Sequence, residues 1–192
     1  MGKGEETRAR LIETTADLIT RQGYHATGLN QITQVSGTPM GSLYHHFKGG
    51  KDELVVAAMY ANGDVIANAL TLVFSSTTDL STAIQATIDF LINQFETTKF
   101  QKGCPIATVA LEEAANNDLI QAAAQSIYQS WRTQITTFLI QLGYDTEQAA
   151  SIAFLTLTVI EGALIFSRAE RSSAPLKQAA STLITLLQKP VI

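Results

Sequence analysis

Apolar residues recur every three or four positions along nearly the whole chain, and no stretch alternates with the period of two that marks a half-buried strand. The first apolar stripe runs through Ala9, Ile12, Ala16 and Ile19. It predicts a helix over about residues 6–22 that ends at a glycine, as helices commonly do. Because such stripes continue to the end of the chain, the pattern predicts an all-α protein of about nine helices.

Two short helices are predicted after the first one. The second carries an apolar stripe over residues 29–35, and either Thr27 or Gly28 is expected to cap its N-terminus. The third is expected to begin with Thr38 as the cap and Pro39 in the first helical position, which proline tolerates well. Three helices in this order predict a helix-turn-helix arrangement near the N-terminus.

Six further helices are predicted by longer apolar stripes and by glycine, proline and asparagine breaks between them. They are expected over 51 to about 75, after an Asp79 cap through Phe95, over 106–115, from about 118 to Gly143, over about 145–172, and from Leu176 to Lys189-Pro190.

The helix over about 145–172 is apolar around most of its circumference, so it must be buried on more than one side. A membrane span is the competing interpretation. Ser151 to Phe166 is only 16 residues long and includes Glu161, whereas a bilayer needs roughly 20 apolar residues. We therefore expect no membrane association, and we expect the last two helices to form the interface of a homodimer.

Composition and charge narrow the class of protein. The chain has 192 residues, a formal net charge of -4 and one cysteine, which excludes an internal disulfide and a multi-cysteine zinc site. The N-terminus lacks the apolar run of a signal peptide, so a cytoplasmic location is expected. The charge is unevenly spread: residues 1–51 hold six Lys/Arg against four Asp/Glu, and residues 52–192 hold seven against thirteen. A basic N-terminal part is compatible with a nucleic-acid partner, although the average charge is not.

Hydrogen-bond donors and cations are concentrated at and after the third helix. Ser42, Tyr44, His45 and His46 are followed closely by Lys48 and Lys51. A helix in the major groove of DNA needs small or polar residues at its N-terminal end for base edges, and donors at its flanks for phosphates. His45 and His46 could also be simple helix C-terminal cations. A metal site is not expected, because neighbouring residues on a helix do not face one point.

The run Gly41-Ser42-Leu43-Tyr44-His45-His46-Phe47 is followed by Lys48-Gly49-Gly50-Lys51-Asp52-Glu53-Leu54 and preceded by Gly23-Tyr24-His25-Ala26-Thr27. Over roughly residues 7–55 this resembles the DNA-binding end of the TetR family of bacterial repressors. The run Gly103-Cys104-Pro105-Ile106 is similar to a subgroup that includes lincomycin- and multidrug-resistance repressors.

The resemblance implies a DNA-binding domain over residues 1–50 and a ligand-binding and dimerisation domain over 51–192. It implies a ligand-responsive repressor that binds double-stranded operator DNA as a homodimer through its last two helices and is released by a small, largely apolar or aromatic effector, without a cofactor. DNA-contacting positions would be Thr27, Thr38, Pro39, Met40, Gly41, Ser42, Tyr44, His45, His46, Lys48 and Lys51. Of these, Thr27, Tyr44, His45 or His46, and Lys51 match phosphate contacts, and the start of the third helix matches base readout. Many members carry serine and lysine where this chain has Pro39 and Met40, so apolar contact with thymine methyl groups is expected here.

Candidate ligand-binding residues are less specific, because pockets are lined by the same apolar and aromatic side chains as cores. The candidates are Tyr60, Phe95, Cys104, Trp131, Phe154 and Glu161. We interpret Cys104 as a small buried thiol at a helix start, and oxidation sensing is the alternative role. Glu161 is a carboxylate in an apolar helix, where a charge is costly unless it is paired or hydrogen-bonded. We expect it either to bind a ligand in the pocket or to make a polar contact in an interface. Glu112 and Glu113 could face the pocket or solvent.

Three other functions were compared with that of a ligand-responsive repressor. An enzyme is not expected, because all three histidines lie in the N-terminal part and no glycine-rich phosphate loop is present. A helical scaffold protein would leave the Tyr44-His45-His46-Phe47 cluster unexplained. A ligand-independent DNA-binding regulator or activator of the same fold is the main alternative.

Overall fold

Helices account for most of residues 2–187, which are the residues described by the computed structural model. This part of the chain contains nine helices and no strand, and the all-α prediction is confirmed. The helices are α1 (Lys3–Gln22), α2 (Leu29–Ser36), α3 (Met40–His46), α4 (Lys51–Ser76), α5 (Leu80–Thr97), α6 (Pro105–Glu113), α7 (Asp118–Gln141), α8 (Thr146–Glu170) and α9 (Ala174–Leu187). The predicted end of the last helix at Lys189-Pro190 lies outside the described residues.

Short polar side chains begin several of these helices, among them the cap at Asp79 that the sequence predicts. Asp79 accepts a hydrogen bond from the backbone N–H of Thr82 at 2.7 Å and starts α5. Asp145 does the same for α8 by accepting from the N–H of Gln148 at 2.9 Å. Such caps satisfy backbone donors that a helix leaves without an internal partner, which fixes where each helix starts.

The start of α3 differs from the prediction. Pro39, and not Thr38, is the N-cap residue, with φ -61° and ψ 146°. Its carbonyl oxygen accepts from the N–H groups of Ser42 and Leu43 at 2.9 and 3.2 Å. Thr38 makes no capping hydrogen bond, because the helix begins one residue later than predicted and Thr38 therefore precedes the N-cap position. Gly28 is the N-cap of α2, again without a side-chain hydrogen bond.

The chain divides into two compact units. The first extends to Val65 and resumes over Cys104–Ile127, and the second comprises Ile66–Gly103 and the chain from Tyr128 onward. The first unit therefore contains the predicted DNA-binding region together with the beginning of α4, all of α6 and the beginning of α7. A functional boundary at residue 50 stays a prediction.

In the first unit α1 contacts α2, α3 and α6. Its core is a cluster of buried apolar side chains from α1, α2, α3 and α4: Leu11, Leu18, Ile32, Leu43, Phe47 and Leu54. Phe47 follows α3 directly and is 1% exposed. Since Leu43 and Phe47 are four residues apart, they anchor one side of α3 in this core and leave the other side free to face outward.

In the second unit α9 contacts both α5 and α8. One apolar cluster there joins the end of α7 to the beginning of α8 and includes Leu139, Tyr144 and Ala149. Two rings, Phe74 and Phe138, stack with their centroids 4.3 Å apart and their planes 7° apart.

Two helices, α4 and α8, are long and apolar enough to cross a membrane by length and composition alone. Core helices of proteins outside membranes meet the same criterion, so this property is weak evidence for a membrane span.

Candidate nucleic-acid interface

The α2 and α3 helices form a helix-turn-helix whose turn is fixed at two points. Gly37 ends α2 in the left-handed region with φ 63°, and its N–H points back to carbonyl oxygens of the last turn. The carbonyl of Pro39 then begins α3. Because a left-handed residue costs least when it is glycine, Gly37 allows the chain to turn sharply between the two helices.

The outward side of α3 carries most of the predicted DNA-contacting residues. Tyr44 is 50% exposed. The other exposed residues of this set are Pro39, Gly41, His45 and Lys48, and the half-buried ones are Met40, Ser42 and His46. The fold thus brings these eight residues to one short helix and its two ends, where they are accessible in a way that major-groove binding requires.

The two predicted threonine contacts lie in a different environment. Thr27 is fully buried, and its hydroxyl donates to the carbonyl oxygen of Gly23 at 2.7 Å. Thr38 is 3% exposed, and its buried hydroxyl oxygen has no hydrogen-bond partner among the described residues. In this conformation neither side chain is accessible, so a contact of Thr27 with a phosphate, or of Thr38 with a base, would need a local rearrangement.

Lys51, at the start of α4, belongs to a cluster that the sequence does not reveal. Its Nζ atom lies 3.9 Å from the centroid of the Tyr24 ring, within the range of a cation-π interaction. Partial burial lowers the pKa of Lys51, while the nearby Asp52, Glu113 and Glu112 act in the opposite direction. The lysine therefore has a defined position next to the aromatic ring.

The Tyr24 hydroxyl donates to Oδ1 of Asp52 at 2.5 Å. The other oxygen of that carboxylate accepts from Nδ2 of Asn117 at 2.8 Å. Asn117 also caps α7, since its side-chain oxygen accepts from the N–H groups of Leu119 and Ile120. Burial, followed by the hydrogen bond to Asp52, raises the pKa of Tyr24 above its ordinary value. The group joins the α1–α2 turn to the beginnings of α4 and α7.

Glu112 and Glu113, at the end of α6, also contact the α1–α2 turn. Glu112 Oε2 accepts from the backbone N–H of His25 at 2.8 Å. Glu113 Oε1 lies 2.8 Å from Nε2 of the same histidine. The sequence suggested a pocket or solvent for these two carboxylates, and the structure instead places both against His25, because α6 packs on α1.

The predicted ligand-binding residues are divided between the two units. Tyr60 and Cys104 belong to the first unit, where Tyr60 is exposed and Cys104 is the N-cap of α6, with its sulfur accepting from the N–H of Ala107 at 3.5 Å. Cys104 is only half-buried. The position at a helix start is as predicted, and a sensing role stays a prediction.

The other four candidates lie in the second unit. Phe95 and Trp131 are buried, and the Trp131 ring meets Tyr128 edge-on at 5.5 Å. Phe154 is 56% exposed, and the guanidinium of Arg132 lies 5.3 Å from its ring centroid. Glu161 is half-buried in α8. Phe154 is accordingly a surface residue of the single chain, in contrast to Phe95 and Trp131. Within residues 2–187, no three His, Cys, Asp or Glu side chains are arranged to hold a metal ion.

The sequence did not predict that Tyr24, His25, Asp52 and Asn117 form hydrogen bonds around the α1–α2 turn. Tyr24, His25 and Asp52 were recognised only as parts of a motif, and Asn117 only as part of a helix break. The hydrogen bonds that join them connect residues 28, 65 and 87 positions apart. The available signals were a glycine followed by an aromatic residue after α1 and the Asn-Asp pair before α7. Those signals mark the ends of helices but do not identify which distant residues they meet.

Comparison with known proteins shows two matching regions. Residues 11–58 match the family "Bacterial regulatory proteins, tetR family", and residues 81–182 match "Transcriptional regulator LmrA/YxaF-like, C-terminal domain". The chain is 32% identical to the uncharacterized HTH-type transcriptional regulator YxaF of Bacillus subtilis, over 96% of each chain. It is 30% identical to the HTH-type transcriptional regulator LmrA of the same organism, over 96% of this chain and 98% of that one. A TetR-family transcriptional regulator from Agrobacterium tumefaciens has the same fold, with a TM-score of 0.85, 18% identity and coverage of 97% of this chain and 100% of that chain.

Proposed function

The chain belongs to the TetR family of bacterial regulatory proteins, and we propose that it is a repressor that binds operator DNA as a homodimer and is released by a small effector. Family membership makes it a transcriptional regulator and implies DNA binding; its relatives and matching domains are those of a regulator and not of an enzyme. The observation that supports DNA binding most directly is the exposed side of α3, held outward by the buried Leu43 and Phe47.

The proposed contacts divide by position along α3. Pro39, Met40, Gly41 and Ser42 form the N-terminal end, which a recognition helix directs at base edges, with Thr38 preceding them. Tyr44 and either His45 or His46 at the other end, together with Thr27 and Lys51, are the proposed phosphate contacts, and Lys48 is a further proposed DNA contact. The excess of Lys/Arg over Asp/Glu in residues 1–51 favours this end of the chain for an anionic partner.

The proposed dimer interface is supported by exposed apolar side chains on α8 and α9. Phe154, Leu155, Ile165 and Phe166 are exposed on α8, and Leu186 is exposed on α9. Residues eleven apart on a helix lie nearly on the same side, so Phe154 with Ile165 and Leu155 with Phe166 define two rows along one face. Gly162 lies between these pairs, and a Cβ added there would meet no atom within 4 Å, which leaves room for a second helix to approach. Several large apolar side chains exposed on one side of a helix are typical of an interface.

We propose that the effector binds in the C-terminal region that matches the LmrA/YxaF-like domain. The buried aromatic residues Phe95 and Trp131 supply the apolar surface that a largely apolar or aromatic molecule needs. Tyr60, Cys104, Phe154 and Glu161 stay proposed ligand contacts. The proposed repressor acts in the cytoplasm and uses no cofactor.

The experiment is a gel-shift assay on the DNA upstream of the gene for this protein, repeated with planar aromatic drugs and natural products. We expect the protein to retard this DNA and at least one compound to reverse the retardation. Retardation that no compound reverses would refute ligand release and favour a ligand-independent regulator of the same fold. A protein that does not bind this or any other duplex DNA would refute the proposed function as a whole.

A further inference from the structure

The C-terminal end of α6 carries two adjacent carboxylates that both reach the turn between α1 and α2. Oε2 of Glu112 accepts a hydrogen bond from the backbone N–H of His25 at 2.8 Å. Oε1 of Glu113 lies 2.8 Å from the imidazole Nε2 of the same histidine. We call Glu112, Glu113 and His25 the carboxylate clamp. The side chain of Glu113 is 13% exposed and that of His25 is 67% exposed, so the carboxylate is held against the fold while the imidazole is open to solvent.

Gly23 shows how closely the clamp approaches the backbone of the turn. It ends α1 with φ 79°, in the region that favours glycine. A Cβ built on it would lie 1.9 Å from Oε1 of Glu112. The carboxylate therefore occupies the space that the side chain of any other residue would begin to fill. A glycine at this position permits both the turn and the contact.

The turn held by the clamp leads directly to elements that the proposed function places on DNA. The hydroxyl of Thr27 donates to the carbonyl of Gly23, and α2 begins two residues later. Tyr24 precedes His25, meets its ring edge-on at 5.4 Å, donates to Asp52 and lies under the ammonium of Lys51. The same turn, residues 23–28, thus connects α6 with the start of α2 and with the start of α4.

We propose that Glu112 and Glu113 are positioning residues for operator binding. They hold the α1–α2 turn so that α2 and the start of α4, which carries the proposed phosphate contact Lys51, keep their positions relative to each other. This inference rests on the proposed function. Neither carboxylate touches DNA in this scheme, and as negative charges they oppose DNA binding electrostatically. If the carboxylates act by positioning, removing them should weaken DNA binding. If only their charge matters, removing them should strengthen it. The direction of the change in affinity therefore tests the proposal.

The test compares E112A/E113A with the charge-matched control D64A/D118A. Asp64 and Asp118 are exposed residues of the same compact unit. The probe is a duplex that the wild-type protein selects from a random-sequence pool, and affinity is measured by fluorescence anisotropy. We expect the control to bind this duplex as tightly as wild type or more tightly, and the clamp variant to bind about tenfold more weakly, the scale of typical coupling between sites. A clamp variant that binds as tightly as the control overturns the proposal.

A second readout separates positioning from general loss of folding. Affinity for a duplex of unrelated sequence depends mainly on charge and little on exact spacing. We expect E112A/E113A to lose affinity for the selected duplex and to keep or gain affinity for the unrelated one. An equal loss for both duplexes contradicts positioning. If the double variant fails to fold, the comparison is E112Q, which keeps an acceptor oxygen, against E112A, which does not; equal affinities of these two variants would overturn the role of Glu112.

The two proposals fail in different ways. If wild type enriches no duplex from the pool, the proposed function fails, and the positioning role fails with it. If wild type enriches a duplex and the clamp variant behaves like the control, only the positioning role is refuted.

Discussion

Replacing Tyr24 by phenylalanine removes one hydroxyl group and leaves the ring that packs beside Lys51. The hydroxyl donates to Oδ1 of Asp52, whose other oxygen already accepts from Asn117. A hydrogen bond to a charged group contributes about 1.5–3 kcal/mol. Since Asp52 is only half-buried, water can reach its oxygen in the variant. We therefore expect a loss near the lower limit, about 1–1.5 kcal/mol in the free energy of unfolding.

The same hydrogen bond predicts a pH dependence of that loss. Burial and Asp52 raise the pKa of Tyr24 in the folded protein above the value of about 10 that tyrosine has in an unfolded chain. The contribution of the hydroxyl is therefore complete below pH 10 and is lost as the pH rises above it, because only the unfolded state then releases the proton readily. We expect wild type and Tyr24→Phe to become more similar in stability above about pH 10.

The assay is urea denaturation of both proteins at pH 7 and between pH 9 and 11. Tyr44→Phe is the matched control, because Tyr44 is 50% exposed in the same unit and its loss of a hydroxyl should change stability by less than about 0.5 kcal/mol. At neutral pH a destabilisation of this size lowers Tm by about 3–5 °C in a chain of this length. Equal stabilities of the two variants at pH 7, or a stability difference that does not shrink at high pH, would refute the reasoning.

Three further predictions test other parts of the structure. Lys51→Ala should reduce the slope of log affinity for DNA against log salt by about 0.9, with the exposed Lys99 as the control; an unchanged slope would remove Lys51 from the phosphate contacts. Phe47→Ala should cost about 3–5 kcal/mol of stability in chemical denaturation because Phe47 is 1% exposed in the core below α3, and a loss under 1 kcal/mol would contradict that packing. Phe166→Glu should convert a dimer into a monomer in sedimentation velocity, whereas the same change at Leu111, exposed on α6, should not; a dimeric Phe166→Glu protein would argue against the α8 face.

Local signals in the sequence were sufficient for the helices and for the side of α3 that is buried. Leu43 and Phe47 form an apolar pair four residues apart, and both lie in the core of the first unit as that spacing predicts. The start of α3 was predicted one residue too early, because Thr38 is a good cap by residue type, whereas it is the carbonyl of Pro39 that accepts the first hydrogen bonds of the helix. The cap at Asp79 was predicted from a similarly local feature and is present in the structure.

The contacts around the α1–α2 turn could not be predicted from the sequence. Tyr24, Asp52 and Asn117 have no periodic relation to one another, and each residue alone is an ordinary turn or helix-end residue. Glu112 and Glu113 are consecutive, so a helical pattern directs them to different sides, yet both meet His25. Their meeting depends on how α6 packs on α1, which is a property of the tertiary structure and not of either segment.

Selection of duplexes from a random-sequence pool by the full-length protein tests the central claim most directly. A homodimer that presents two copies of α3 should enrich an inverted repeat whose half-site centres are separated by about 10–10.5 base pairs or a multiple of it. Enrichment of such a repeat, with its sequence readout lost when the α3 surface residues Met40 and Ser42 are replaced by alanine, is the result we predict. A pool that shows no enriched sequence, or a single site without two-fold symmetry, would contradict operator binding by a dimer.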